Sequence, residues 1–135
     1  MRNKFRTASP RILVADDDPV IRHFVTACIE KEGYAVLAVE DGSEAFRILQ
    51  SDADFQAAIF DMMMPNIAGL DVIRYMRTEK RLMRIPIMMI TSEPDLSLTA
   101  ASFAAGASLF LSKPFNGEQF LRTFKLLVRE QRKAA

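Results

Sequence analysis

At 135 residues, half of them apolar and about a quarter charged, the chain has room for one globular domain with a sizeable core and little space for a second. A net charge of +1 argues against a nucleic-acid footprint or a polybasic membrane face, and leaves a protein or a small anion as the expected partner. The single cysteine, Cys28, excludes an internal disulfide. No apolar stretch reaches the length of a signal peptide or membrane span, so a cytoplasmic location is expected.

Residues 1–10 are rich in basic side chains and read as a flexible arm, with the folded domain expected over 11–132. Ile12 to Ala15 is a short continuous apolar run, as in a strand buried on both faces. Asp18 then caps a helix with Pro19 at its first position; Ile21, Phe24 or Val25, and Cys28 form its apolar stripe, and Gly33 ends it. Tyr34 to Val39 reads as the second strand. Asp41-Gly42-Ser43-Glu44 resembles a capping box opening a helix that buries Ala45, Ile48 and Leu49.

Phe55 to Phe60 is the expected third strand, followed by a loop and a helix from about Gly69 that turns Leu70, Ile73 and Met76 inward. Pro86 introduces a fourth strand, Ile87 to Ile90. A fourth helix is harder to orient, because no charged side chain lies between Asp95 and Lys113 to mark its wet face; an interaction surface is slightly favoured over a buried one. Ser108 to Ser112 forms a fifth strand. Phe120 or Leu121, Phe124, and Leu127 or Val128 mark a last amphipathic helix.

Regular alternation of strand and helix argues for a parallel sheet covered on both faces and joined by right-handed crossovers. Such sheets bind ligands beyond the carboxyl ends of their strands, where the strand order reverses. For order 2-1-3-4-5 that point falls between strands one and three. Asp16 and Asp17 close the first strand and Asp61 closes the third, so three carboxylates are expected at one sheet edge. Such a cluster repels itself unless a cation or a chemical task holds it together.

Asp61 is the best candidate nucleophile, since a carboxylate can form an acyl phosphate and split phosphoryl transfer into two steps. An incoming phosphoryl group is anionic, so this chemistry needs compensating positive charge. Mg²⁺ suits it by binding oxygen ligands while retaining waters. Asp16 and Asp17 can supply one direct and one water-mediated ligand, and a backbone carbonyl just after Asp61 another. Lys113 at the end of strand five adds a second positive charge, and Thr91 at the end of strand four adds a hydroxyl donor.

At these residues the chain resembles the receiver domain of bacterial two-component response regulators, of the chemotaxis-receiver kind. The matching segments are Ile12-Leu13-Val14-Ala15-Asp16-Asp17-Asp18-Pro19, Asp61-Met62-Met63-Met64-Pro65 with Gly69, Ile90-Thr91-Ser92, and Leu111-Ser112-Lys113-Pro114-Phe115. The resemblance implies an α/β, flavodoxin-like, doubly wound fold with five parallel strands in order 2-1-3-4-5 and five helices in three layers. That strand order is a property of the family and is not read from spacing. It also implies that Asp61 accepts a phosphoryl group from a phosphohistidine of a histidine kinase or histidine phosphotransfer protein. Asp17 would bind Mg²⁺ directly, Asp16 mainly through water, and Met63 through its backbone carbonyl, with Asp61 completing the metal site.

Thr91 and Lys113 would grip the phosphate, and the bond before Pro114 is expected to be cis. The family's switch pairs movement of the hydroxyl at Thr91 with inward rotation of a strand-five aromatic, here Phe110, shifting the helix 4, strand 5 and helix 5 face. Phe110 has no hydroxyl, so the switch is expected to run on packing. Output is expected through protein contacts or an effector not present in this chain.

Plainer explanations stand beside these. Asp18 is expected to be only a helix cap, His23 an exposed side chain, and the methionines at 62, 63, 64, 88 and 89 packing residues rather than copper ligands. The main alternative function is a Mg²⁺-dependent aspartyl-phosphate phosphatase. Its usual second aspartate, two residues after the nucleophile, is here Met63, which transfers no proton. An enzyme turning over an external substrate is therefore not expected. Met63 and Glu93, two residues beyond Asp61 and Thr91, are expected to flank the phosphate and set its lifetime.

Overall fold

The computed structural model describes residues 9–92 and 95–134. Five parallel strands, β1 (Arg11–Ala15), β2 (Ala35–Val39), β3 (Ala57–Asp61), β4 (Ile87–Thr91) and β5 (Leu109–Ser112), pair in the order β2-β1-β3-β4-β5. They alternate with helices α1 (Pro19–Lys31), α2 (Gly42–Leu49), α3 (Gly69–Thr78), α4 (Leu96–Ala105) and α5 (Gly117–Ala134).

Period-two alternation along the strands divides the core into two layers. Leu13, Ala15, Ala58, Phe60, Ile87 and Met89 meet Ala45 and Leu49 of α2 and Val72, Ile73 and Met76 of α3, with Leu98 and Ala105 of α4 at the border. Ile12, Val14, Ala57, Ile59, Met88 and Ile90 face the opposite way, against Val25 and Ile29 of α1 and Phe120, Phe124, Leu127 and Val128 of α5. β3 and β4 are buried along their whole length, hence their unbroken apolar runs. Each fully buried Phe, Leu or Ile adds about 2 kcal/mol of transfer free energy, so the stacked pair Phe120 and Phe124 anchors α5 firmly.

The helix starts obey local capping rules. Asp18 accepts from the Val20 amide at 2.9 Å, and Asp41 accepts from the Glu44 amide at 2.9 Å. Glu44 returns a bond to the amide of Glu40, one residue before the cap, so the box is offset from its usual form. Gly33, just past α1, has φ +93°, a left-handed conformation that glycine adopts without a Cβ penalty.

Several boundaries differ from the expected ones. β2 begins at Ala35 because Tyr34 instead lays its ring edge-on against Phe124, with centroids 5.2 Å apart. β3 begins at Ala57 because the Phe55 amide closes a turn onto the Ala53 carbonyl. In α1 the fully buried positions are Val25 and Ile29, while Phe24 is 40% exposed; in α3 Val72 is buried and Leu70 only partly so. The charge-free α4 is not a buried helix: Leu96 is 82% exposed and Phe103 46%. No helix among the described residues is long and apolar enough to cross a membrane. Residues 1–8 of the expected arm lie outside the described residues.

Candidate functional site

The register of the central strands brings the acidic residues together. Ala15 pairs with Phe60, so Asp16 and Asp61 leave their strands side by side, and Asp61 in turn pairs with Ile90, one residue before Thr91. Hydrogen bonding continues past the strand ends: the Asp16 amide donates to the Val39 carbonyl, the Met62 amide to Ile90, and the Lys113 amide to Thr91 at 2.7 Å. Each side chain therefore stands on backbone fixed by a neighbouring strand. The Lys113–Pro114 bond is cis.

Asp16, Asp17 and Asp61 each present a carboxylate oxygen within 4.8 Å of the others, with Asp16 and Asp61 buried and Asp17 exposed. The Lys113 ammonium sits between the buried pair, 3.5 Å from Asp16 Oδ2 and 3.6 Å from Asp61 Oδ2. Asp16 Oδ1 accepts from the Asp18 amide at 2.9 Å, while the buried Oδ2 makes no hydrogen bond. The Arg22 guanidinium donates to the Asp16 carbonyl at 2.8 Å, fixing the turn from the α1 side.

Burial pushes the Asp61 carboxyl up to about 6, aided by the charges of Asp16 and Asp17 and opposed by Lys113 and, least, by the backbone amide of Met63. Burial likewise raises Asp16, against the Asp18 amide and Lys113. Two desolvated carboxylates with one ammonium between them, and one buried oxygen without a hydrogen bond, suit a hard cation with oxygen ligands. The donor set thus fits Mg²⁺.

The loop after Asp61 is pinned at alternate residues. Met62 and Met64 are buried, Met63 between them is 61% exposed, and Asn66 at φ +71° donates from Nδ2 to Asp41 Oδ2. Gly69 brings the start of α3 against β3: its amide donates to the Met62 carbonyl, and a Cβ here would lie 2.5 Å from the Asp61 carbonyl oxygen. Thr91 is fully buried at the end of β4. Phe110 on β5 is half-buried, its ring 6.3 Å from that of Phe103 on α4. Glu93 lies outside the described residues.

Sequence reasoning missed Arg22, Asn66 and Arg77. The Arg77 guanidinium donates to the carbonyls of Gly106, Leu82 and Met83, tying α3 to the end of α4. Nothing in its charge or spacing marks Arg77 out. Asn66 had one usable signal, since Asn favours the left-handed conformation in a loop.

Sheet order, helical layers and an acidic edge at the switch point define a flavodoxin-like doubly wound fold of the receiver kind rather than a nucleotide-binding fold with a glycine-rich loop. The chain belongs to the response regulator receiver domain family, whose pattern matches residues 12–125. It is 36% identical over 119 residues to the response regulator MprA of Mycolicibacterium vanbaalenii, covering 88% of this chain and 50% of that protein. The MprA of Mycobacterium tuberculosis is also 36% identical, over 121 residues. The chain thus spans about half the length of the curated relatives it matches.

Among solved structures it resembles the chemotaxis response regulator CheY4 of Vibrio cholerae, with a TM-score of 0.82, 31% identity, and coverage of 89% of this chain and 99% of that one. A CheY-like receiver domain from Methanospirillum hungatei aligns with a TM-score of 0.86 at 26% identity, over 95% of this chain and all of the other.

Proposed function

We propose that this receiver is a phosphorylation-dependent switch in which Asp61 takes a phosphoryl group from a phosphohistidine of a histidine kinase or histidine phosphotransfer protein. The observation that carries this reading is the Lys113 ammonium held between the buried carboxylates of Asp16 and Asp61 at 3.5 and 3.6 Å. A carboxyl held near 6 is mostly ionised at neutral pH, so Asp61 is both nucleophilic and short of compensating charge.

In the transfer, an Asp61 carboxylate oxygen bonds to phosphorus as the bond from phosphorus to the histidine nitrogen breaks, and the electron pair returns to the imidazole. Lys113 then pairs with the new phosphate oxygens in place of the lost carboxylate charge. Thr91, at the end of the neighbouring strand, offers its hydroxyl to the same group. Mg²⁺, held by Asp17 directly, Asp16 mainly through water, Asp61, and the Met63 carbonyl, would neutralise the phosphate's charge. Withdrawal of Thr91 toward the phosphate leaves space for Phe110 to turn inward, altering the face of α4, β5 and α5 by packing alone.

A small phosphodonor with Mg²⁺, followed by intact mass measurement and hydroxylamine treatment, tests this assignment. One labile phosphoryl group is expected on the wild type and none on Asp61→Asn. No adduct from any donor, or an unchanged adduct on the variant, would overturn it. Continuous turnover of phosphate esters would favour the phosphatase instead.

A further inference from the structure

Among the described residues, five of seven methionines, Met62, Met64, Met76, Met88 and Met89, are no more than 9% exposed. Met63 and Met83 are 61% and 51% exposed. Met83 lies in the loop between α3 and β4, remote from the acidic edge. Met63 stands beside it. It follows Asp61 by two residues in the loop that leaves β3, and the buried side chains of Met62 and Met64 on either side fix the backbone from which it projects.

We propose that Met63 is an oxidation site through which peroxide shortens the life of the Asp61 phosphate. This rests on Asp61 being the phosphoryl acceptor. The sulfur lone pair attacks one oxygen of hydrogen peroxide: an S–O bond forms, the O–O bond breaks, and the departing hydroxide takes up the remaining proton as water. Sulfur loses two electrons and the peroxide gains them. The thioether is a weak acceptor that sheds water, whereas the sulfoxide is polar with a strong acceptor oxygen. Beside Asp61 that change replaces an apolar screen with a group able to hold a water near the phosphorus. Methionine sulfoxide reductases reverse the modification, so the effect is a switch rather than damage.

Cys28 is the other sulfur to control. It is half-buried, and burial raises its thiol above the ordinary range, which disfavours the reactive thiolate. The test therefore uses a Cys28→Ser, Met83→Leu protein, in which Met63 is the one exposed sulfur among the described residues. Dilute hydrogen peroxide should convert Met63 to the sulfoxide ahead of Met62 and Met64, as read by peptide mapping. After charging with a small phosphodonor, the adduct should decay about fivefold faster than in untreated protein, the factor that one well-placed hydrogen bond confers. Reductase treatment should restore the slower decay, and Met63→Leu should abolish the response. Met63→Gln, which carries an amide oxygen without oxidation, should also decay faster.

Oxidation of Met62 or Met64 before Met63 overturns the proposal, as does unchanged decay once Met63 is oxidised. If untreated protein accepts no phosphoryl group, the acceptor assignment itself fails and this inference falls with it. Normal charging and decay without peroxide, but no response to it, refutes this inference alone.

Discussion

Replacing the proposed phosphoacceptor should make the metal-free protein more stable. In the folded chain the Asp61 carboxyl is held at about 6, against an ordinary value of 3.8, chiefly by burial and then by the neighbouring Asp16. Ionising it in the folded state therefore costs about 3 kcal/mol more than ionising it in the unfolded chain. Below pH 3.8 both states are protonated and nothing is lost. As pH rises through 6 the unfolded chain releases this proton more readily, and the penalty reaches its full size.

Asp61→Asn removes the titration while keeping the shape. It also turns an amide toward Lys113, which retains Asp16 at 3.5 Å, so part of the gain is offset. A net stabilisation of about 2 kcal/mol at pH 7.5 is expected, or roughly 8 °C in Tm for a domain of this size. Urea and thermal unfolding in chelator, at pH values from 4 to 8, should show the advantage growing with pH and nearly vanishing at pH 4. Added Mg²⁺ should narrow it by stabilising the wild type more. A variant no more stable at pH 7.5, or a difference that does not change with pH, would refute the claim that Asp61 is electrostatically strained.

Lys113→Met leaves Asp16 and Asp61 without their shared cation; unfolding experiments should show a loss of about 2 kcal/mol at pH 7.5 that shrinks toward pH 5, and the phosphorylation rate should fall about 100-fold. Met63→Asn should change the rate of acyl-phosphate decay more than Mg²⁺ affinity, measured by mass and by metal titration respectively. Gly69→Ala places a Cβ 2.5 Å from the Asp61 carbonyl oxygen, so α3 must shift; a loss of about 2 kcal/mol in denaturant unfolding is expected, together with slower phosphorylation.

Much of this was legible in the sequence because its central strands are buried on both faces. The runs Ile12 to Ala15 and Ala57 to Phe60, which end at Asp16 and Asp61, carry no polar residue that would blur their direction, and Asp18 and Asp41 announce their helices by capping. The outer boundaries were less readable. Tyr34 and Phe55 have strand-like side chains, yet their packing and turn bonds lie just outside the ladder. α4 gave no orientation, because periodicity needs contrast and its sequence supplies only Leu, Ala, Ser, Thr and Phe. The carboxylates could be placed at one edge from topology. Their unequal burial, and the oxygen of Asp16 left without a hydrogen bond, depend on side-chain packing that no motif encodes.

Arg77 has a mechanical consequence for the face proposed above to carry the switch. Its guanidinium fastens the Gly106 end of α4 to α3 and to the loop before β4, while Leu96 at the other end stands 82% exposed. A rod clamped at one end can only swing. α4 spans about 15 Å, so a tilt of about 10° moves its free end by roughly 2.6 Å and its clamped end hardly at all. In the proposed switch, displacement would thus be greatest at the Leu96 end, and a partner seated there would register a rotation that one seated over Ala105 would miss.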